Sequence, residues 1–235
     1  MAGANLQRAY VLHLKPYTDS KKLVRLFSYD EGCLDAVARP SKRWPALEPF
    51  IPFLCHVSGK TQGLKNLRAA EIQDSTPRLQ GHALFCALYL NELLARALPV
   101  GQAVQSIFEA YEETIKKLEG SHADAALLQV LLRRFEFSLL RELGFAVELL
   151  SCANGSKVIN SCTAFYTFRL GFGFIPCALH EQNSTNPTLF HGEVLHAIAE
   201  QQWSSRSLSA AKRLSRLALP MLIGSEPLKA RELFV

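Results

Sequence analysis

The spacing of the apolar residues changes near Asp74–Gly81, from the two-residue alternation of strands to the three-and-four spacing of helices. Before this point a turn signal at Asp30–Gly32 separates two strand-like runs and predicts a hairpin. The predicted strands lie around Tyr10–Leu14, Lys22–Phe27, Leu34–Arg39, Phe50–Val57 and Leu64–Ala70. Five short strands in about 70 residues fit a small closed barrel of the OB type, although the pattern alone also permits other small barrels.

After residue 80 the apolar stripes are helical, and Pro220 is expected to kink or end the last helix. Helices are predicted over Ala83–Leu98, Ala103–Leu118, Asp124–Leu143, Gly192–Glu200 and Ser207–Leu222. The intervening segment Val147–Ala178 is rich in glycine and aromatic residues and predicts a small β insertion. We therefore expect an α+β multidomain fold: an OB-fold nucleic-acid-binding domain over 1–79, a helical domain over 80–145 and 190–235, and a β-rich insertion over 146–189.

Positive charge is concentrated in the strand-rich part of the chain. Residues 1–80 hold 12 Lys/Arg against 7 Asp/Glu, whereas the remaining residues balance at 14 against 14. Between Ala36 and Ala70 six cations face a single acid, Glu48. A basic strip with aromatic residues beside it predicts nucleic-acid binding, and an ordinary solvated face is the alternative.

Other function classes find little support in the sequence. Leu54 stands where a phosphate-binding loop ending in Ser58–Thr61 would need glycine, and no catalytic constellation is recognisable, so we expect no enzyme, no catalytic residue and no cofactor. The cysteines form no Cys-x-x-Cys pair, so no metal is expected. No apolar run could cross a bilayer and Met1–Gln7 resembles no signal peptide, which predicts a cytoplasmic protein that is not bound to a membrane. Association with the nucleoid is expected together with the nucleic-acid binding predicted above. An enzyme with a cryptic metal site is the alternative.

Four blocks of sequence, in matching order from Gln7 to Phe234, resemble the bacterial recombination mediator family RecO. They are AYVLHLKPYTDSKKLVRLFSYDEG with the following AVARPSKRWPALEPFIPFL, LYLNELLARAL, LLRRFEFSLLRELGF, and AAKRLSRLALPMLIGSEPLKARELF. The resemblance implies an OB-fold barrel followed by helices with a small β insertion. This agrees with the order of elements predicted from the residues.

The resemblance also implies a function in DNA repair and recombination. Proteins of this family bind single- and double-stranded DNA, anneal complementary strands, contact the acidic C-terminal tail of single-stranded DNA-binding protein and, with RecR, promote RecA loading in gap repair. Many members hold zinc with four cysteines in the insertion. Here Cys152 alone matches such a position, so packing of Phe165, Phe168 and Phe174 is expected to replace the metal. An RNA-binding OB-fold protein without a repair role is the alternative that charge alone permits.

DNA is expected to be held mainly through its phosphates. Trp44, beside Arg43, is expected either to stack on a base or to cover the end of the barrel. The residues predicted to bind DNA are Arg39, Lys42, Arg43, Lys60, Lys65 and Arg68, with Trp44 and, as a weaker candidate, Arg25.

A second site is expected to bind the acidic tail of the partner protein. Arg133 matches a family position implicated in this contact, whereas pairing of Arg133 or Arg134 with Glu136 or a neighbouring helix is the alternative. Phe108, Tyr111 and Leu143 are predicted to wall the pocket, and Lys212, Arg213 and Arg216 to meet the acidic residues.

Overall fold

Five strands at the start of the chain close into a barrel in the order β1-β2-β3-β5-β4. The computed structural model describes residues 6–39, 46–59, 63–73, 78–121, 124–177 and 186–234. The barrel strands are β1 (Gln7–Thr18), β2 (Lys21–Ser28), β3 (Gly32–Ala38), β4 (Phe53–Ser58) and β5 (Lys65–Ile72). The predicted OB-type barrel is confirmed.

Alternate residues of these strands fill the interior, as the two-residue spacing predicts. Val11, Val24, Leu26 and Ala36 are among the fully buried side chains of the barrel core. Strand β4 begins three residues later than predicted. Two local features explain the delay, since Phe50 has a φ of 70° and each proline before the strand lacks the N–H that a ladder needs.

Two helices, α1 (Gly81–Ala97) and α2 (Gln105–Glu119), pack against the barrel. Rings from α2 and from the barrel strands meet there: the Tyr10 centroid lies 5.5 Å from that of Phe108 and 5.0 Å from that of Tyr111, and the Phe27 centroid lies 5.2 Å from that of Phe108. Asn91 of α1 donates to the carbonyls of Val11 and Leu12 at 3.2 Å. Its side-chain oxygen accepts from the Tyr111 hydroxyl at 2.6 Å. We call Tyr10, Phe27, Phe108 and Tyr111 the ring cluster.

The turn between β2 and β3 fits closely against the α1–α2 connection. Gly32 has a φ of 70°, and a Cβ there would lie 1.8 Å from the Gln102 carbonyl oxygen. The Gly101 N–H donates to the Cys33 carbonyl at 2.8 Å. Only glycine meets both demands at position 32.

The chain divides into two compact units, Met1–Leu128 with Pro227–Val235 and Gln129–Glu226. The last described residues, a 3₁₀ segment over Lys229–Phe234, return to the first unit, where the Glu92 carboxylate accepts from two of their backbone N–H groups at 2.9 and 2.8 Å. This division groups α1 and α2 with the barrel. The three-part division by secondary structure stays a prediction.

The second unit contains the small sheet and the later helices. The elements after α2 are α3 (Ala125–Glu142), β6 (Phe165–Arg169), β7 (Gly173–Pro176), β8 (Leu189–His191), α4 (Gly192–Ala199), α5 (Ser205–Ala218) and α6 (Pro220–Ile223). Helix α5 starts two residues early because Ser204 and Ser207 form a reciprocal capping box. As predicted, Pro220 ends it, and α6 continues as one short turn.

The sheet has the order β7-β6-β8 and an aromatic core. The ring centroids of Phe168 and Phe174 lie 5.3 Å apart, and those of Phe174 and Phe190 lie 5.8 Å apart. Phe165 packs instead on His191, 4.4 Å between centroids. The predicted aromatic packing is therefore present at two of its three positions, with Phe190 as the third ring.

Candidate nucleic-acid interface

The β1–β2 hairpin extends past the part of the barrel where β1 is paired on both sides. Strand β4 pairs with β1 over Gln7–Ala9, whereas β2 pairs with it from Ala9 to Thr18. Among the described strands, the end of β1 from His13 to Thr18 therefore has β2 as its only ladder partner. A two-residue turn at Asp19–Ser20 joins the strands.

The hairpin ends in an irregular ladder with an aromatic residue at the irregularity. Pro16 is opposite Lys22 and Thr18 is opposite Lys21, so the register shifts by one residue at Tyr17. Bulges of this kind redirect a side chain away from the regular alternation. Tyr17 is 53% exposed and has no hydrogen bond or ring contact with any described residue.

Strand register places several cations beside this hairpin. Lys22 is opposite Ala38 at the end of β3, so the next residue, Arg39, is level with Lys21. Ala36 and Val37 are opposite Lys65 and Asn66, and continuing that register brings Arg39 level with Arg68. The hairpin face, as we name this surface, comprises Lys15, Tyr17, Lys21, Lys22, Arg39 and Arg68.

The cations of the hairpin face are available to a ligand. Lys15, Lys22, Arg39 and Arg68 are exposed and Lys21 is half-buried. None of the five forms an ion pair with a described residue, and Arg68 makes one neutral hydrogen bond, from Nε to the Ser58 hydroxyl at 2.7 Å. The hairpin tip itself contributes one acid, the exposed Asp19. An arrangement with this charge excess attracts a polyanion.

The residues predicted to bind DNA have different surroundings in the structure. Arg39 and Arg68 belong to the hairpin face. Lys42, Arg43, Trp44 and Lys60 lie outside the described residues. Arg25 is used within the first unit: its guanidinium binds both Asp35 carboxylate oxygens at 2.9 and 2.7 Å and donates to the Ala95 carbonyl of α1 at 2.9 Å. The Asp35 hydrogen bond raises the pKa of Arg25 against the opposing effect of burial.

Lys65 is also withdrawn from the surface, contrary to the predicted role. Its side chain is only 9% exposed and its ammonium contacts the Glu31 carboxylate. Burial by itself would raise the pKa of Glu31, but hydrogen bonds from Lys65 and Gln7 outweigh it and lower that pKa. This ion pair is an internal part of the barrel and does not present a cation to DNA.

Charge counting along the sequence missed the hairpin cations. The predicted basic strip begins at Ala36, whereas Lys15, Lys21 and Lys22 precede it in the sequence. The signal that identifies them is strand pairing, because the predicted hairpin of β2 and β3 brings Lys22 next to the start of the strip.

Two residues predicted to wall a tail pocket lie in a core. Phe108 and Tyr111 are 1% and 0% exposed and belong to the ring cluster of the first unit. The apolar stripe of α2 is the face that it packs on the barrel. Burial raises the pKa of the Tyr111 hydroxyl well above its ordinary value. Leu143 is half-buried and belongs to the second unit.

For Arg133 the structure shows the alternative that the sequence left open. Its side chain is 7% exposed, and Nη2 lies 2.7 Å from the Glu136 carboxylate, which is fully buried. Nη1 donates to the Ser215 hydroxyl of α5 at 2.9 Å. The neighbouring Arg134 is exposed. Arg133 thus connects α3 to α5 and is not presented to a partner's carboxylate.

The α5 cations divide between surface and interior. Lys212 and Arg216 are exposed. Arg213 is half-buried, with its guanidinium carbon 4.3 Å from the Phe190 ring centroid and Nη2 donating to the Leu189 carbonyl at 2.6 Å. Burial lowers the pKa of Arg213. Lys212 and Arg216 are therefore the α5 cations that the second unit presents.

The second unit also has an open apolar cavity of about 320 Å³. Its lining includes Phe145, Glu148, Cys152, Phe172 and Met221. The carboxylate of Glu148 is its only charged group among the described lining residues, which makes the cavity unsuited to an acidic ligand.

The cysteines do not assemble a metal site within the described part of the chain. Cys152 is buried, Cys162 is exposed and Cys177 is half-buried. No group of three or more His, Cys, Asp or Glu side chains among the described residues is placed to hold a metal ion. The zinc site that the resemblance implies for many family members therefore has no counterpart among the described residues. Burial raises the pKa of the Cys33 and Cys55 thiols to about 12.

Comparison with known proteins covers nearly the whole chain. The model described as Recombination protein O N terminal matches residues 1–76, and Recombination protein O C terminal matches residues 78–232. Proteins named DNA repair protein RecO are similar to it: that of Proteus mirabilis is 35% identical over 97% of this chain and 91% of its own length. The protein from Tolumonas auensis is 35% identical over 100% of this chain and 96% of its own length. The protein from Erwinia tasmaniensis is 37% identical over 97% of this chain and 91% of its own length. Among the described helices, none is both long and apolar enough to span a membrane.

Proposed function

Because this chain belongs to the Recombination protein O family, we propose that it acts in DNA repair as a non-enzymatic mediator that binds single- and double-stranded DNA and anneals complementary strands. The names of its relatives support the repair role. The observation that carries the DNA-binding part is the hairpin face. It gathers five cations without ion-pair partners among the described residues around the β1–β2 hairpin and the strand ends level with it.

The hairpin face binds the phosphate backbone with little reading of sequence. Lysine and arginine on exposed strands match phosphates through charge, and phosphate contacts carry no base information. If each of the five cations meets one phosphate, the logarithm of affinity for single strands falls with the logarithm of salt concentration at a slope of roughly −3.5.

Salt titration tests this proposal directly. Fluorescence anisotropy of a labelled strand is measured at several salt concentrations for wild type and for the double variant Lys22→Gln and Arg39→Gln. The double variant should flatten the slope by about 1.4 and weaken binding to all sequences alike. The double variant Lys116→Gln and Lys117→Gln removes two exposed α2 cations and should leave the slope unchanged. An unaltered slope in the first variant would exclude the hairpin face, and a clear preference for RNA would favour the alternative function.

The same contacts between cations and phosphates promote strand annealing without ATP hydrolysis. Cations between two backbones lower their repulsion, and base pairing supplies the driving free energy. The protein should therefore accelerate annealing without ATP, and the Lys22/Arg39 variant should lose most of the acceleration. A requirement for ATP would contradict this scheme.

The second unit binds the acidic tail of single-stranded DNA-binding protein. Lys212 and Arg216 are the proposed cations, since both are exposed on α5 whereas Arg133 is buried and Arg213 is half-buried. Titration of a labelled tail peptide should show weaker binding to Lys212→Glu/Arg216→Glu and unchanged binding to Lys116→Glu/Lys117→Glu. Equal affinities would reject this placement.

Cooperation with RecR and RecA completes the proposed role. Annealing of strands coated with the cognate coating protein, with and without its tail, tests the link to that partner. RecA loading on coated gaps, with RecR present, should depend on this chain.

A further inference from the structure

The tip of the β1–β2 hairpin combines three features that a phosphate-binding surface does not require. An aromatic ring is more than half exposed, it occupies a register shift, and lysines lie on both sides of it in the ladder. The tyrosine side chain is neutral at pH 7, so it forms no ion pair with a phosphate, and its exposed ring leaves apolar surface in contact with water. Its placement beside lysines suits a ligand with a flat apolar face next to negative charge.

We propose that Tyr17 stacks on an unpaired base and makes the hairpin tip a single-strand-specific subsite. This rests on the proposed DNA-binding function and adds to it the kind of strand that the hairpin face prefers. A nucleotide of a single strand offers both groups at once: the base presents a π face, and its flanking phosphates reach Lys15 and Lys21, which share one face of the ladder. In a duplex the base faces are covered by their stacked neighbours, so the ring has nothing to stack on.

The local backbone favours this role. The register shift at Tyr17 takes its ring out of the regular alternation of side chains above and below the ladder. A tyrosine has only two side-chain torsions, so ordering its ring on a base costs little conformational entropy. Because stacking is indifferent to base identity, the subsite should distinguish strand state without selecting sequence.

The experiment compares three probes of equal length: oligo-dT, a duplex, and a strand of abasic sites. The duplex carries about twice the charge of the single strands, so each variant is compared with wild type on the same probe. Tyr17→Leu should weaken oligo-dT binding about 5- to 10-fold while changing duplex and abasic-strand affinities less than about 2-fold. Tyr17→Trp should restore or tighten oligo-dT binding. Phe172→Leu is the matched control, since this ring is 74% exposed near a hairpin tip of the other unit and should change none of the three affinities.

Each outcome separates the subsite from the wider proposal. If Tyr17→Leu and wild type bind oligo-dT equally, stacking is refuted, whereas loss of salt-dependent binding in the Lys22/Arg39 variant would still uphold the hairpin face. Equal weakening on all three probes would also overturn the subsite, because it would point to a structural effect. If wild type binds none of the probes, the proposed function itself fails. Urea unfolding of each variant verifies that the fold is intact.

Discussion

The hairpin face and the α3–α5 contact each contain two cations that are adjacent in the sequence. These are Lys21 and Lys22 in the hairpin face and Arg133 and Arg134 in the α3–α5 contact. In the hairpin, neither lysine has an ion pair with a described residue, and the surface is open to a polyanion. In the α3–α5 contact, Arg133 is buried against Glu136 and Ser215, while Arg134 remains outside. Two adjacent cations therefore form an open cationic surface in one place and an internal connection in the other.

Surroundings decide which of these roles a cation takes. A strand that extends beyond its second neighbour leaves its side chains in water, where a lysine is well solvated. A helix that is covered on its apolar side must pair any charge it buries, since an unpaired buried charge is costly. Substitution of each group should therefore report on different quantities, stability for the buried cations and binding for the exposed ones.

The largest effect on stability is expected at Arg133. Replacing it by Met leaves the buried Glu136 carboxylate without this partner and should lower the free energy of unfolding by about 3–5 kcal/mol. Urea denaturation measures the loss. The matched variant Arg134→Met, one residue along the helix, should stay within about 0.5 kcal/mol of wild type. Similar losses in both would remove the distinction.

The Glu31–Lys65 pair should show a smaller loss that depends on pH. Glu31→Gln leaves the buried Lys65 ammonium without its carboxylate and should destabilise the protein at pH 7 by about 1–3 kcal/mol. The folded-state pKa of Glu31 is lowered, because hydrogen bonds from Lys65 and Gln7 outweigh burial, so its contribution is fully present above the ordinary value of 4.5 and is lost as pH falls through the lowered pKa.

Unfolding experiments across this pH range provide the measurement. The gap between wild type and Glu31→Gln should narrow as the solution becomes more acidic. Glu71→Gln, an exposed carboxylate on β5, is the control and should show little gap at either end. A gap that widens in acid would contradict the assigned direction.

Arg213 is half-buried, so its exposure lies between that of the buried and that of the exposed cations. Its substitution should lower the free energy of unfolding by less than the two preceding changes. Arg213→Lys keeps the charge but loses the planar contact with Phe190 and the directed bond to Leu189, for a loss of about 1 kcal/mol. Thermal or urea unfolding would detect it. Arg216→Lys on the exposed side of the same helix should be neutral, and an equal loss there would show that the ring contact contributes nothing.

The smallest stability effect is expected on the hairpin face. Lys15→Gln with Lys22→Gln should leave the unfolding free energy within about 0.5 kcal/mol of wild type. The same variant should flatten the salt dependence of strand binding by about 1.4 in slope. Substantial destabilisation would mean that these lysines are structural after all.

Sequence patterns predicted the elements well and the fate of individual side chains poorly. The alternation from Tyr10 to Leu14 and the stripe through Phe108 and Tyr111 identified a strand and a helix correctly. They could not show that each buries its aromatic residues against the other, because periodicity reveals an apolar face and not what covers it.

The site was predictable only in part for a related reason. Arg39 and Arg68 were found by charge density, and Lys65 met the same criterion although Glu31, far away in the sequence, pairs with it. Lys22 and Tyr17 required knowledge of strand register, which depends on long-range pairing. Local sequence patterns do not show which residues far apart in the chain contact each other.

The ring cluster bears on how this protein could be divided or recombined. The family models meet between residues 76 and 78, yet the barrel side of the cluster, Tyr10 and Phe27, is covered by rings from α2. A chimaera that grafted only the barrel onto a foreign partner would strip two large rings of their cover and invite aggregation. The smallest transplantable piece is the barrel with both of its helices and the C-terminal 3₁₀ segment bound by Glu92, so gene fusions and truncations have to keep two separate parts of the chain together.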